Sequence, residues 1–245
     1  SIITTPKLDG ASISIQYKQG LLDKVLTRGD GKEGIDITAK FLSRVCFLIP
    51  KSINYSAEDI QVTGEVVSPK TIPNARNYAA GALNLKDVTE FLSRDLTFVA
   101  HGVSPYFQDS YTNDMHRLQG LGFRTILDRD YNEFLQDGTV WRVDDNKDFT
   151  EFGHTAHHPR GAFALKIRKE AVITTLLDVE WQVGKSGVVS PVAILEPVQI
   201  DDATISRATL HNIAYINSLN LEIGCEVKVI RSGDIIPRIT GRVEK

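Results

Sequence analysis

The apolar and polar positions of the first thirty residues alternate in short runs. Residues 11–17, Ala-Ser-Ile-Ser-Ile-Gln-Tyr, carry the two-residue period of a half-buried strand. Lys18-Gln-Gly20 marks a turn, and residues 21–27 form the return strand of a hairpin. Residues 28–34 are too rich in glycine for a regular element and read as a loop. In residues 36–49 the apolar positions Phe41, Leu42, Val45 and Cys46 fall at helical spacing, and Pro50 ends the run, so a helix is expected. Further strands are expected at 61–67, 96–99 and 139–143, with helices at 77–85, 114–121 and 130–135.

The character of the chain changes near residue 170. From Ile173 onward β-branched residues alternate with polar ones. Turn signals recur at Gly184, Gly187, Asp201-Asp202, Gly224 and Ser232-Gly-Asp234. Several short strands in so short a stretch suit a small β-barrel of the OB type, and a sandwich would read similarly. The expected domains are residues 1–170 and 171–245, an α+β domain followed by an all-β one.

Composition narrows the function classes only slightly. Hydrophobic residues make up 42% and charged residues 24%, an ordinary balance for a water-soluble domain. No apolar run is long enough to cross a bilayer, and no signal-peptide pattern opens the chain. The expected compartment is the cytoplasm of a bacterial or phage-infected bacterial cell. The two cysteines, Cys46 and Cys225, lie far apart and make neither a four-cysteine zinc site nor a disulfide framework. A net charge of -3 means that any nucleic-acid-binding surface must be local.

The chemistry-bearing residues occur in short clusters. Lys7-Leu-Asp-Gly10 offers a lysine that becomes a nucleophile if its pKa, about 10.4 in solution, is lowered by burial or by neighbouring cations. Lys166 and Arg142 are cations that folding could bring near it. Asp9 could orient the lysine or a ribose hydroxyl. Arg28-Gly-Asp-Gly31, Gly64-Glu65 and Asn74-Ala-Arg-Asn77 add glycines that would let backbone amides approach a phosphate. Arg28 and Arg76 would supply fork-shaped donors, and Glu65 is a possible metal or ribose ligand. Lys-x-Asp-Gly alone occurs often by chance, and a lone lysine ahead of a strand, as Lys7 reads here, is usually a solvated one. The cluster His154, His157, His158 could suggest zinc, yet the motif frame around it fits better without a metal there, and no structural zinc is expected. Trp141 and Trp181 are expected in the core.

Taken together and in order, these motifs resemble those of NAD-dependent DNA ligases. The resemblance rests on Pro6-Lys-Leu-Asp-Gly10, Thr27-Arg-Gly-Asp-Gly31, Gly64-Glu65, Asn74-x-Arg-Asn-x-Ala-Ala-Gly81, Asp137-Gly-x-Val140 and Lys166. It continues through Gln182-Val-Gly-Lys-Ser-Gly187, Leu195-Glu-Pro-Val198, Ser206-Arg-Ala-Thr-Leu-His-Asn212 and Gly233-Asp-x-Ile-Pro237. It implies a nucleotidyltransferase (adenylation) domain with antiparallel sheets, followed by an OB-fold barrel. It also implies NAD and Mg²⁺ as cofactors and nicked double-stranded DNA as partner. By the same resemblance Lys7 is the adenylated nucleophile, with Asp9 and Lys166 as its catalytic partners. Arg28, Glu65, His101, Arg129, Arg142 and Lys166 bind the cofactor, and Glu65 also takes the metal. Arg76, Lys185, Arg207 and His211 face DNA. Three steps follow: adenylation of Lys7, transfer of AMP to a 5′-phosphate, and sealing by the 3′-hydroxyl.

The chain departs from the family pattern at several points. Thr5 stands where the family has a glutamate that reads adenine. Arg142 replaces a lysine, His101 a stacking tyrosine, Asn84 an arginine and Gly161 a tryptophan. These changes point to a divergent, viral-type member. Only six residues precede Lys7, where the family has a domain for the nicotinamide mononucleotide half of NAD. Either the sequence is a cut piece or that portion is a separate subunit. A second subunit is the expectation, since a cut at this point would take part of the domain's own sheet. The rival readings are an ATP-dependent ligase or capping-type transferase, and a non-catalytic DNA-binding subunit.

Overall fold

Two antiparallel sheets organise the first part of the chain. The computed structural model describes residues 1–28, 34–155, 159–166, 171–200, 203–231 and 237–243. The Asp30 side of the Arg28 loop, His157 and His158, and the turns at 201–202 and 232–234 therefore lie outside the described residues. The chain divides into two units, Ser1–Ile167 and Arg168–Lys245.

In the first unit the strands are β1 (Ile2–Leu8), β2 (Ala11–Lys18), β3 (Leu21–Thr27), β4 (Ile60–Val67), β5 (Thr97–Ser104), β6 (Gln136–Val143) and β7 (Ala162–Lys166). The helices are α1 (Thr38–Phe41), α2 (Ala75–Asn84), α3 (Val88–Ser93), α4 (Tyr111–Gly120) and α5 (Asn146–Glu151). One sheet has the order β3-β2-β4-β5 and the other β1-β6-β7. The alternation seen in residues 11–17 buries Ile13, Ile15 and Tyr17 against Val62, Val66, Phe98 and Phe123. Each such aliphatic side chain contributes about 1.5–3 kcal/mol by leaving water.

The helix starts follow from short polar side chains that accept orphan N–H bonds. Asp87 caps α3 at Thr89 N (2.8 Å), Ser110 caps α4 at Asn113 N (3.2 Å) and Asp145 caps α5 at Asp148 N (2.8 Å). The end of α2 is closed differently. Lys40, a buried cation in α1, donates to the carbonyls of Leu83 and Leu85, and burial lowers its pKa below the usual lysine value.

Three expectations change. The helix expected at 36–49 is only Thr38–Phe41. Residues beyond it turn back so that Leu22 N bonds Lys51 O (2.9 Å) and Ile53 N bonds Gly20 O (2.8 Å), and this pairing along the first hairpin outweighs a weak helical period. The helix expected at 130–135 is absent. Tyr131 has φ +53°, a left-handed conformation that interrupts a helix, and its buried hydroxyl donates to Thr125 O at 2.8 Å. Burial and the Asp128 carboxylate push that hydroxyl up to about 12. Trp141 and Trp181 are 37% and 52% exposed, so neither is a core residue. Trp141 instead stacks on Phe163, with ring planes 2° apart.

The second unit is the expected barrel. Strands β8 (Val172–Val183), β9 (Val189–Ile200), β10 (Ala203–Thr209), β11 (Glu226–Arg231) and β12 (Pro237–Arg242) close in the order β10-β12-β11-β8-β9. Helix α6 (Ile213–Ser218) sits between the third and fourth of them, capped by Asn212 at Tyr215 N (2.9 Å). Leu176, Leu195, Leu210, Val227, Val229 and Ile239 fill the interior. Register shifts in β8–β9, β9–β10 and β11–β12 supply the bends that closure of so small a barrel requires.

Candidate active site

Lys7 lies inside β1, not ahead of a strand. It pairs with Gly138 of β6, which pairs in turn with Lys166 of β7. Lys7, Gly138 and Lys166 thus form one row across the sheet. Directly opposed residues project from the same face, and two strand spacings separate the lysine backbones by about 10 Å. A Cβ at Gly138 would lie 2.0 Å from the carbonyl oxygen of Leu165, so the third strand can approach only a glycine here. The register shifts between Lys7 and Leu8, where β6 carries one extra residue, Asp137, an irregularity of the kind that re-aims a side chain.

The amine is held by a carboxylate. Lys7 Nζ lies 3.0 and 3.1 Å from the two oxygens of Asp137, and the side chains are 31% and 27% exposed. A pair this exposed contributes about 1 kcal/mol or less to stability. Its consequence is positional: the amine is fixed against the Asp137 carboxylate. The Asp137-Gly-x-Val140 motif by itself assigns Asp137 no role. The partners are 130 residues apart, and nothing in their local spacing joins them.

The Lys-x-Asp-Gly segment bridges the two sheets. Gly10 N donates to Glu65 Oε1 at 3.2 Å, while Asp9 N donates to Leu135 O at 2.9 Å. The Asp9 carboxylate pairs with Arg76 Nε, on the first turn of α2, at 3.3 Å. His101 Nε2 of β5 is 3.8 Å from Glu65 Oε2. Gly64 was expected to admit a phosphate. Its position inside β4 gives another reason: a Cβ there would meet Val99 O at 2.3 Å and the Phe98 ring at 2.5 Å. Thr5 is buried opposite Val140, two residues before Lys7.

The structure thus links Lys7 to Asp137, Asp9 to Arg76, and Glu65 to Gly10 and His101, with Lys166 in the Lys7 row. Arg142 lies four residues along β6 from the Lys7 row, about 13 Å at the rise of a strand. Its guanidinium packs over the rings of Phe149 (3.7 Å to the centroid) and Tyr111 (4.4 Å) and donates to Asn146 Oδ1 at 3.1 Å. Gly161, where the family has tryptophan, adjoins this cluster: a Cβ there would meet the Phe149 ring at 2.6 Å. Arg129 pairs with Glu133 and lies over Tyr131. Arg28 is exposed, and its backbone N donates to Ser12 O at 3.4 Å. Asn84 is exposed at the end of α2.

In the barrel unit, Lys185 is exposed in the turn between β8 and β9. Arg207 Nη2 pairs with Glu180 at 2.6 Å, and His211, at φ +59°, packs its ring edge-on against Tyr215. All three lie on the surface.

Behind Arg142 is a buried cluster that sequence patterns did not reveal. The Asp114 carboxylate, 1% exposed, accepts from Phe107 N (2.9 Å), Gln108 N (2.8 Å) and Asn146 Nδ2 (2.7 Å). Burial raises its pKa above the usual carboxylate value, and these hydrogen bonds and Arg142 only partly offset that. Tyr111 Oη donates to His101 O at 2.6 Å, and burial pushes this hydroxyl well above the ordinary tyrosine range. The only sequence sign of the cluster is an acid, Asp114, on the apolar face of a helix.

Two family models divide the molecule in the same order as the fold. One, described as the NAD-dependent DNA ligase adenylation domain, matches residues 1–72, and the other, described as the NAD-dependent DNA ligase OB-fold domain, matches residues 173–245. An adenylation domain followed by an OB-fold is the class they define. The chain belongs to the NAD-dependent DNA ligase family. It is 38% identical over 275 residues to the DNA ligase of Campylobacter lari, covering 96% of this chain and 42% of that protein. It is also 38% identical over 277 residues to that of Wolinella succinogenes, covering 98% and 42%. The chain therefore spans about two fifths of the length of these relatives. The solved structure named Pmar-Lig_Pre shares the fold, with a TM-score of 0.56 at 12% identity over 98% of this chain and 62% of that one. No helix among the described residues is long and apolar enough to cross a membrane.

Proposed function

We propose that residues 1–245 carry the catalytic core of an NAD-dependent, nick-sealing DNA ligase in which Lys7 is the residue adenylated. The observation that carries this reading is the half-buried Lys7–Asp137 pair, at a strand bulge and in one row with Lys166. The Lys7 amine attacks the α-phosphorus of NAD. The Nζ–P bond forms as the bond to the nicotinamide mononucleotide oxygen breaks, and the mononucleotide leaves with the electron pair. The ammonium must first lose a proton, and Asp137, 3.0 Å away, is the base within reach. Lys166 stands in the same row to hold the phosphate charge that grows in the transition state. The DNA 5′-phosphate then takes AMP from the lysine, and the 3′-hydroxyl displaces AMP to close the strand.

The remaining residues take roles consistent with their positions. Asp9, held by Arg76, faces the ribose, and His101 offers a ring for adenine. Arg142 marks the nucleoside end of the cleft, while Arg28 and Arg129 serve the phosphate side. The Arg142 Nε is buried without a hydrogen-bond partner among the described residues. Carboxylate oxygens at Glu65 are hard donors that suit Mg²⁺, which would supply charge neutralisation at the phosphate. Arg76, Lys185, Arg207 and His211 contact DNA, and Arg207 does so after giving up its exposed pair with Glu180. The portion that binds the mononucleotide half of NAD lies outside residues 1–245, on a second subunit, and the greater length of the bacterial relatives supports a separate portion of this kind. Their bacterial sources support a bacterial cytoplasm as the place of action.

The test is sealing of a nicked duplex by this chain together with a mononucleotide-binding portion taken from a relative. Sealing that requires NAD and is lost in Lys7→Ala supports the reading. Sealing with ATP in place of NAD, or nick binding with no sealing under either nucleotide, overturns it.

A further inference from the structure

Arg142 is held in place by a relay of buried polar groups that no cleft residue explains. Asn146 donates both amide hydrogens away from the cleft, to Gln108 O at 2.9 Å and to Asp114 Oδ2 at 2.7 Å. This settles the orientation of its amide and leaves Oδ1 as the acceptor for Arg142 Nη2 at 3.1 Å. Asp114 is fixed in turn by two backbone N–H groups. The faces of the guanidinium are covered by Phe149 and Tyr111, and Tyr111 ties down the backbone of His101. One cluster therefore sets both Arg142 and the backbone at His101.

We propose that Asn146 is a positioning residue: through the Asp114–Asn146–Arg142 chain it locks the guanidinium in the orientation that binds the nucleoside end of an adenine nucleotide. The inference rests on the reading that this cleft takes the adenylate of NAD. It has a corollary. A lysine does not reproduce Arg142 here, because its compact ammonium lacks the planar fork that lies over both rings while one nitrogen bonds Asn146.

The test uses the full chain with AMP as the probe, its affinity measured by calorimetry alongside each variant's melting temperature. Asn146→Ala is expected to weaken AMP about tenfold, the usual size for loss of a charge-assisted hydrogen bond. In an Arg142→Ala background the same change is expected to have less than about a twofold effect, because the residue it orients is gone. Arg142→Lys is expected to weaken AMP severalfold with the charge retained, and it serves as the readout if the alanine variants melt early. Equal weakening by Asn146→Ala in both backgrounds shows a structural role only and overturns the proposal. So does unchanged affinity in Asn146→Ala, in Arg142→Ala or in Arg142→Lys. A wild-type chain that binds no AMP and, with the mononucleotide-binding portion of a relative supplied, forms no adenylate with NAD overturns the ligase reading itself, and the inference with it. A chain that forms the adenylate while any of these variants keeps wild-type affinity overturns the inference alone.

Discussion

The two units present their charged residues in different ways. In the first, Lys7, Asp9, Glu65 and Arg142 are half-buried and tied to named partners. In the barrel, Lys185, Arg207 and His211 stand on the surface, and the one strong ion pair among them, Arg207–Glu180, leaves both side chains about half exposed. A bond-making step needs atoms fixed to within fractions of an ångström. A duplex backbone can be met by loosely held charges, whose effect is large in sum and small singly. Substitutions should therefore be costly and specific in the first unit, and mild and salt-dependent in the second.

The largest effect should come from the base beside the nucleophile. Asp137→Asn keeps the shape but removes the proton acceptor, and is expected to slow adenylation of Lys7 by about a hundredfold or more in single-turnover measurements, with little change in melting. A rate within a factor of about two of wild type would mean that the ion pair is only structural. Next is Gly138→Ala, where the new methyl group meets a backbone carbonyl that cannot yield. A loss of about 3 kcal/mol of stability, read by urea unfolding, is expected, and loss of adenylation should accompany it as Lys166 is displaced.

Asp114 gives a smaller effect with a definite sign. Its folded pKa is raised above 3.8, so the folded chain holds this proton more tightly than the unfolded one. Stability is therefore lost as pH rises from the unfolded pKa through the raised value, and levels off above it. Asp114→Asn should abolish this slope. At neutral pH it should also cost about 1–3 kcal/mol, because an amide nitrogen would face backbone N–H groups or the amide of Asn146. The smallest effect should be that of Arg207→Ala, which leaves folding unchanged, weakens binding to a nicked duplex and reduces the salt slope by about one. An unchanged slope would remove Arg207 from the DNA-facing set.

What could be read from the residues alone followed the same division. The hairpin of β2 and β3 and the barrel strands carry strong alternation and glycine turns, so they were legible. β1 and β7 were not. Ile2-Ile-Thr-Thr-Pro-Lys-Leu8 lacks a clean two-residue period, and the exposed Phe163 and Leu165 show that β7 buries little. The nucleophile was therefore found through its motif, and its place in a strand was missed. Asp137 and the Asp114–Asn146 relay escaped because their partners are 32 to 130 residues distant, and only the fold brings them together. The misread helix at 36–49 has the same cause, since pairing between Leu22 and Lys51 is invisible to any local period.

The central claim is that one half-buried amine bonds to phosphorus, and mass spectrometry of the peptide containing residue 7 tests it most directly. After incubation with NAD and the complementary portion of a relative, that peptide should carry one AMP on its lysine, and Lys7→Ala protein should carry none. AMP found on another residue, or retained by the alanine variant, would contradict the account.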